Sequence, residues 1–181
     1  MNREKYKITE ISRLSQQAYA ESNKLPLVIV LDNVRSMNNV GSIFRTADAF
    51  RLEGLRLCGI TACPPHPDIH KTALGAEDSV RWSYHSSTLE AVESLLAEGY
   101  KVYALEQARG SISLEQVTLQ ENERYAIVLG NEVKGVAQEV IDICTGCIEI
   151  PQFGTKHSLN VSVAAGMTIW QMVKSLLHKI T

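Results

Sequence analysis

Apolar positions along the chain fall into two kinds of run that alternate. Short blocks rich in Val, Ile, Leu and Tyr, at Leu27–Leu31, Leu55–Ile60, Lys101–Leu105, Tyr125–Leu129 and Cys147–Ile150, are bounded by turn residues and predict buried strands, with Val80–Tyr84 as a further candidate. Helical spacing occupies the intervals near Ile8–Ser22, Val40–Phe50, Leu89–Glu98 and Ala137–Cys144, and a last helix is expected from about Leu159 to Ile180. This alternation predicts an α/β fold with a mainly parallel sheet flanked by helices. Residues 1–24 are expected to form an N-terminal helical extension and residues 25–181 the main domain.

The last helix has an unusually broad apolar surface. With about 100° between successive residues, Leu159, Val163, Met167, Trp170, Val173 and Leu177 share one side, and Val161, Ala165, Ile169, Met172 and Leu176 cover the side next to it. Asn160, Thr168, Gln171, Lys174 and His178 take the polar remainder. So wide an arc exceeds the stripe of a surface helix packed on one face. Either the helix is deeply buried or one side packs on a second subunit, with Met172 and Leu176 expected at that interface.

Composition narrows the class. A chain of 181 residues, 45% hydrophobic and 21% charged, can bury a core of its own. No apolar run approaches the roughly 20 residues of a membrane span. The first residues, Met1 to Lys7, lead into no signal-like apolar stretch, so no membrane association and a cytoplasmic location are expected. The net charge of −2 does not advertise nucleic-acid binding. Arg3, Lys5, Lys7 and Arg13 are candidates for a local basic contribution or, equally, for a solvated helix face.

Cys144 and Cys147 have metal-ligand spacing, but Cys58 lies in an apparent buried strand and Cys63 completes no obvious set. Packing thiols are the expectation, and no metal. His66 and His70 follow two prolines in what reads as a solvent-facing loop.

Three segments concentrate polar chemistry beside apolar runs: Asn39-Val40-Gly41-Ser42-Ile43-Phe44-Arg45-Thr46-Ala47, Val128-Leu129-Gly130-Asn131-Glu132-Val133-Lys134-Gly135-Val136, and the stretch from Ile150 to Ala164. In the third, Gly154 permits a sharp turn, and Ser158 and Asn160 can cap a helix or line a pocket. Together and in this order the segments resemble the three motifs of the SpoU (TrmH-type) RNA 2'-O-ribose methyltransferases of the SPOUT superfamily, over roughly Leu27 to Lys179.

The resemblance implies a SPOUT methyltransferase domain with a deep trefoil knot at its C-terminal end, S-adenosylmethionine as cofactor, and a homodimer acting on RNA. It places the cofactor at Gly130, Ile150 and Leu159, largely through backbone groups, with a bulky side chain at Gly130 expected to block the pocket without unfolding the protein. Asn39, Arg45, Glu132, Ser158 and Asn160 are the matching catalytic positions. Arg45 is singled out, because a permanently charged fork suits a ribose-phosphate better than it suits proton abstraction. Asn39 can equally be a plain helix cap, and Glu132 is expected to orient Arg45 or Asn39.

Two departures from many relatives stand out: Gln152-Phe153 in place of a methionine and a small residue, and Glu132-Val133-Lys134 in place of glutamate followed by glycine. No further RNA-binding domain is seen before the first motif, which favours tRNA over ribosomal RNA as substrate. A catalytically silent RNA-binding or assembly factor on the same fold is the alternative, against which Arg45, Gly130 and Asn160 speak. A nucleotide-binding enzyme of Rossmann or P-loop type lacks support: no G-x-G-x-x-G follows a strand, and Gly130 to Gly135 has neither the spacing nor the Lys-Ser/Thr ending of a phosphate loop.

Overall fold

The computed structural model describes residues 3–180; Met1, Asn2 and Thr181, at the outer ends of the two expected segments, lie outside them. Among the described residues seven strands form one sheet: β1 (Leu25–Asp32), β2 (Leu52–Cys58), β3 (Trp82–His85), β4 (Tyr100–Leu105), β5 (Ile112–Ser113), β6 (Arg124–Leu129) and β7 (Gly146–Glu149). Their spatial order is β3-β2-β1-β6-β4-β7-β5, and every pairing is parallel.

A parallel sheet covered on both faces buries both sets of alternating side chains, which is why its strands read as unbroken apolar runs. Leu25, Leu27, Ile29 and Leu31 of β1, with Tyr125, Ile127 and Leu129 of β6, point into the larger core. There they meet α2 (Met37–Ala49), α3 (Pro67–Ala73) and α6 (Val161–Val173). Val28 and Val30, with Ala126 and Val128, point to the other face, under α4 (Thr88–Ala97) and α5 (Gln138–Ile143).

Helix α2 buries Val40, Ile43, Phe44 and Ala47, one face at helical spacing, and starts at Ser36, whose Oγ accepts from the Asn39 N–H at 3.3 Å. Gly41 lets α3 come close: a Cβ there would stand 2.2 Å from Thr72 Oγ1 and 2.3 Å from the Ile69 carbonyl oxygen.

Several expectations are corrected. Ile8–Ser22 is not one helix but a 3-10 turn at Ile8–Glu10 and a short α1 at Gln16–Glu21, capped by Ser15 and anchored in the core by Tyr19. The prolines before His66 do not leave a loop behind them. Pro67 opens α3, where a proline loses no helical hydrogen bond, and His66 Nδ1 caps it by accepting from the Asp68 N–H at 3.2 Å. β5 escaped notice because two residues carry no periodicity.

The last helix is shorter than its pattern. It begins after Asn160, whose Oδ1 accepts from the Ser162 and Val163 N–H groups, and stops at Val173, with Leu177–Lys179 forming a separate 3-10 turn. The wide arc combines both readings. Val161, Ala165, Ile169, Met172, Val173 and Leu176 are buried within the chain, so Met172 and Leu176 cannot be interface positions. Leu159, Val163, Met167 and Trp170 are exposed instead. Thr168, expected on the polar side, is fully buried.

Candidate active site

A cleft of about 330 Å³ opens at the carboxyl ends of β4, β6 and β7. In open α/β sheets ligands bind at this end, because loops diverge there and leave backbone groups unpaired. Leu105, Leu129, Ile150, Leu159, Val161 and Ala164 form its apolar wall, and Glu106, Glu132, Glu149, Gln152, Ser158 and Asn160 its polar one. Gly130, Ile150, Leu159, Glu132, Ser158 and Asn160, from two separate stretches of sequence, therefore share one cavity. Asn39 joins them through hydrogen bonds. Arg45, on the exposed side of α2, is not part of the lining and has no hydrogen bond or ion pair among the described residues.

Glu132 organises the β6 side. Its carboxylate accepts from the Arg35 N–H at 2.9 Å and the Ser36 N–H at 3.0 Å, and from Asn39 Nδ2 at 3.2 Å. Burial works against the charge, but these donors outweigh it and hold the carboxyl below the usual glutamate range. Glu132 thus orients Asn39 and braces the start of α2. It makes no contact with Arg45 among the hydrogen bonds of the described residues.

Asn39 is more than a cap. Its Oδ1 accepts from Asn160 Nδ2 at 3.2 Å and from Ser162 Oγ at 3.4 Å, so one amide bridges the Glu132 loop and the start of α6. The cap of α2 is Ser36.

Gly130 lines the cleft and also permits a close approach of backbone on its other side. A Cβ there would lie 2.2 Å from the Gly135 carbonyl carbon and 2.3 Å from the Val136 nitrogen, in the backbone of the returning loop and not in the cleft. Asn131 and Gly135 exchange backbone hydrogen bonds at 2.9 and 3.1 Å, and Asn131 Oδ1 accepts from the Val133 and Lys134 N–H groups. Any side chain at Gly130 disrupts this tight loop, so a substitution there cannot act simply as a plug.

Sequence reasoning missed the β4 end. Glu106 accepts from the Val136 N–H at 3.0 Å, and Gln107 Nε2 donates to the His157 carbonyl oxygen at 2.8 Å, tying both loops of the cleft to β4. The available signal was position alone: both residues directly follow a buried strand.

The other candidates resolve differently. All four cysteines are free thiols; burial pushes Cys58 and Cys144 up to about 12 and also raises Cys63 and Cys147, the reverse of what a thiolate ligand needs. His70 Nδ1 lies 2.5 Å from the buried Glu77 carboxylate. Among the described residues no three or more His, Cys, Asp or Glu side chains converge as metal ligands, and no helix is long and apolar enough to cross a membrane.

Residues 26–170 match the sequence model of the SpoU rRNA Methylase family, and the chain belongs to that family. It is 30% identical, over 83% of its length, to the 23S rRNA (guanosine-2'-O-)-methyltransferase RlmB of Xanthomonas axonopodis pv. citri, of which it spans 59%. It is 28% identical over 93% of its length to an uncharacterized tRNA/rRNA methyltransferase of Synechocystis sp., of which it spans 43%. The chain thus spans about half the length of these two relatives. Among solved structures, the AdoMet-bound rRNA methyltransferase of Sinorhizobium meliloti superposes with a TM-score of 0.78 at 26% identity, over 91% of this chain and 62% of that one. A structure described as giving insight into 2-OH methylation of C/U34 on tRNA superposes with a TM-score of 0.73 at 28% identity, over 84% of this chain and 97% of that one.

Proposed function

We propose that this chain is an S-adenosylmethionine-dependent RNA 2'-O-ribose methyltransferase, with residues 25–181 as the catalytic domain and 1–24 as an extension. The observation that carries the reading is the single cleft in which Gly130, Ile150 and Leu159 stand beside the linked Glu132, Asn39 and Asn160 side chains. A cleft of this volume with an apolar wall and a few polar groups suits a cofactor of that size.

Ile150 and Leu159 would sandwich an adenine, and the backbone beyond Gly130 and Ile150 would present donors and acceptors to it. Glu106 and Glu149 supply negative charge for a cationic amino-acid portion. Bound there, the cofactor supplies an electrophilic methyl group. The remaining work belongs to the chain: Arg45 grips the ribose-phosphate and favours the ionised hydroxyl electrostatically, Ser158 and Asn160 orient the ribose, and Glu132 holds Asn39 and through it Asn160. Arg45 fits this part because its guanidinium has no hydrogen-bond or ion-pair partner among the described residues.

The substrate is tRNA in preference to ribosomal RNA. Support comes from the tRNA-linked solved structure, which this chain matches over nearly that chain's whole length. The enzyme works in the cytoplasm as a homodimer, its second copy covering Val163, Met167 and Trp170 on α6. These lie at helical spacing on one face, with Trp170 tilted against Phe50 at 5.8 Å. The C-terminal segment is knotted, as membership of the family implies.

Isothermal calorimetry with S-adenosylmethionine, followed by mapping of 2'-O-methyl sites in tRNA with and without the gene, tests the proposal. Cofactor binding together with a lost methyl mark supports it. A protein that binds RNA but no cofactor is the silent factor instead.

A further inference from the structure

Phe153 is 96% exposed, more than any other large apolar side chain described. A phenylalanine left wholly in water forgoes the burial that drives folding, so nothing in the fold of this chain accounts for it. Its position is specific. Gln152, before it, lines the cleft, and so does Ser158 at the other end of the same loop. The next residue is open too: a Cβ on Gly154 would meet nothing within 4 Å. The loop is tethered to β4 by the Gln107 contact with the His157 carbonyl, which holds Phe153 near the cleft mouth.

Exposed cations lie in the same loop and across the cleft. Lys156 in the same loop, and Lys134 and Arg35 around the Glu132 loop, are exposed and form no ion pair among the described residues. The cleft itself is lined by Glu106, Glu132 and Glu149, so Lys156, on the Phe153 loop, is the cation nearest in sequence to the exposed ring. An exposed aromatic face among free cations is how proteins hold unpaired nucleotides, by stacking on the base and pairing with phosphate.

We propose that Phe153 is a stacking platform for an unpaired base of the RNA substrate, with Lys156 and Lys134 on the flanking phosphates. The inference rests on the methyltransferase reading and adds how the nucleotide is presented. A nucleotide whose ribose enters the cleft loses a stacking neighbour in the RNA, and the ring beside the cleft replaces it.

The test compares binding of two fluorescein-labelled single strands of about ten nucleotides, an adenosine homopolymer and an abasic strand with the same ribose-phosphate backbone. Wild type should prefer the adenosine strand by roughly 5- to 100-fold, Phe153→Ala should remove that preference, and Phe153→Trp should keep it. Lys156→Ala should weaken both strands alike and reduce the salt dependence of binding by about 0.7 in log–log slope.

A wild type indifferent to bases, or a Phe153→Ala variant with unchanged preference, overturns the platform. A Phe153→Ala variant that keeps the preference but shifts the sedimentation profile shows the ring packing on a second copy, and overturns it too. Calorimetry with S-adenosylmethionine on the same preparations separates the two levels. Loss of cofactor binding in wild type sinks the methyltransferase reading, whereas intact cofactor binding with unchanged base preference sinks the platform alone.

Discussion

Asn160 Nδ2 donates to Asn39 Oδ1 at 3.2 Å across 121 positions of sequence, and the other end of the Asn39 amide donates to Glu132. One side chain therefore couples the starts of α2 and α6 to the loop after β6. Asn39→Ala should remove about 1 kcal/mol of stability in urea denaturation, the usual net worth of a hydrogen bond, and lower methyl transfer more than cofactor affinity. Asn39→Asp should be worse, because it sets a second carboxylate beside Glu132.

Arg45→Ala should cut single-turnover methyl transfer by about ten- to a hundredfold, the loss expected of one charge-assisted contact, with cofactor affinity nearly unchanged. Arg45→Lys keeps the charge without the planar fork. Partial rescue by lysine points to charge stabilisation and no rescue to geometric positioning, while a wild-type rate in Arg45→Ala removes the residue from the mechanism.

Gly130→Ala should lower the melting temperature and cofactor affinity together, because its Cβ meets Gly135 and Val136 backbone that cannot turn aside. A variant that loses cofactor binding at full thermal stability would restore the simple pocket-plug reading. Differential scanning calorimetry with and without S-adenosylmethionine decides between them.

Charges on the two sides of α6 should have opposite consequences. Val163→Asp and Trp170→Asp should yield folded protein that sediments as a monomer. Met172→Glu and Leu176→Glu put a charge into the core and should unfold the chain, at a cost of roughly 3 kcal/mol or more. Circular dichroism and sedimentation velocity on the four variants give the comparison.

Glu132 makes stability depend on pH in a definite direction. Its carboxyl is held below the ordinary value of 4.5, so its contribution is complete above that pH and is lost as acid takes the pH down through the folded-state value. Melting curves between about pH 3 and 7 should show wild type losing more stability on acidification than Glu132→Gln. Parallel curves would mean that the carboxylate charge is unimportant to the α2 start.

The sequence alone determined the α/β class, because strands buried on both faces must be continuously apolar and the helices between them must not be. Leu27–Leu31 and Tyr125–Leu129 were legible for that reason and lie within β1 and β6. It also determined which three stretches carry the polar chemistry. The tertiary structure decided what those residues do to one another. Nothing in local periodicity tells that Asn39 reaches both Glu132 and Asn160 or that Glu106 and Gln107 tie down the loops of the cleft, since each is a contact between segments distant in sequence, and the tight turn that returns Gly135 and Val136 onto Gly130 has no period to read. The same limit explains α6. An apolar pattern records that a surface avoids water, and only the packed chain shows that Met172 and Leu176 are already covered while Val163, Met167 and Trp170 are still open.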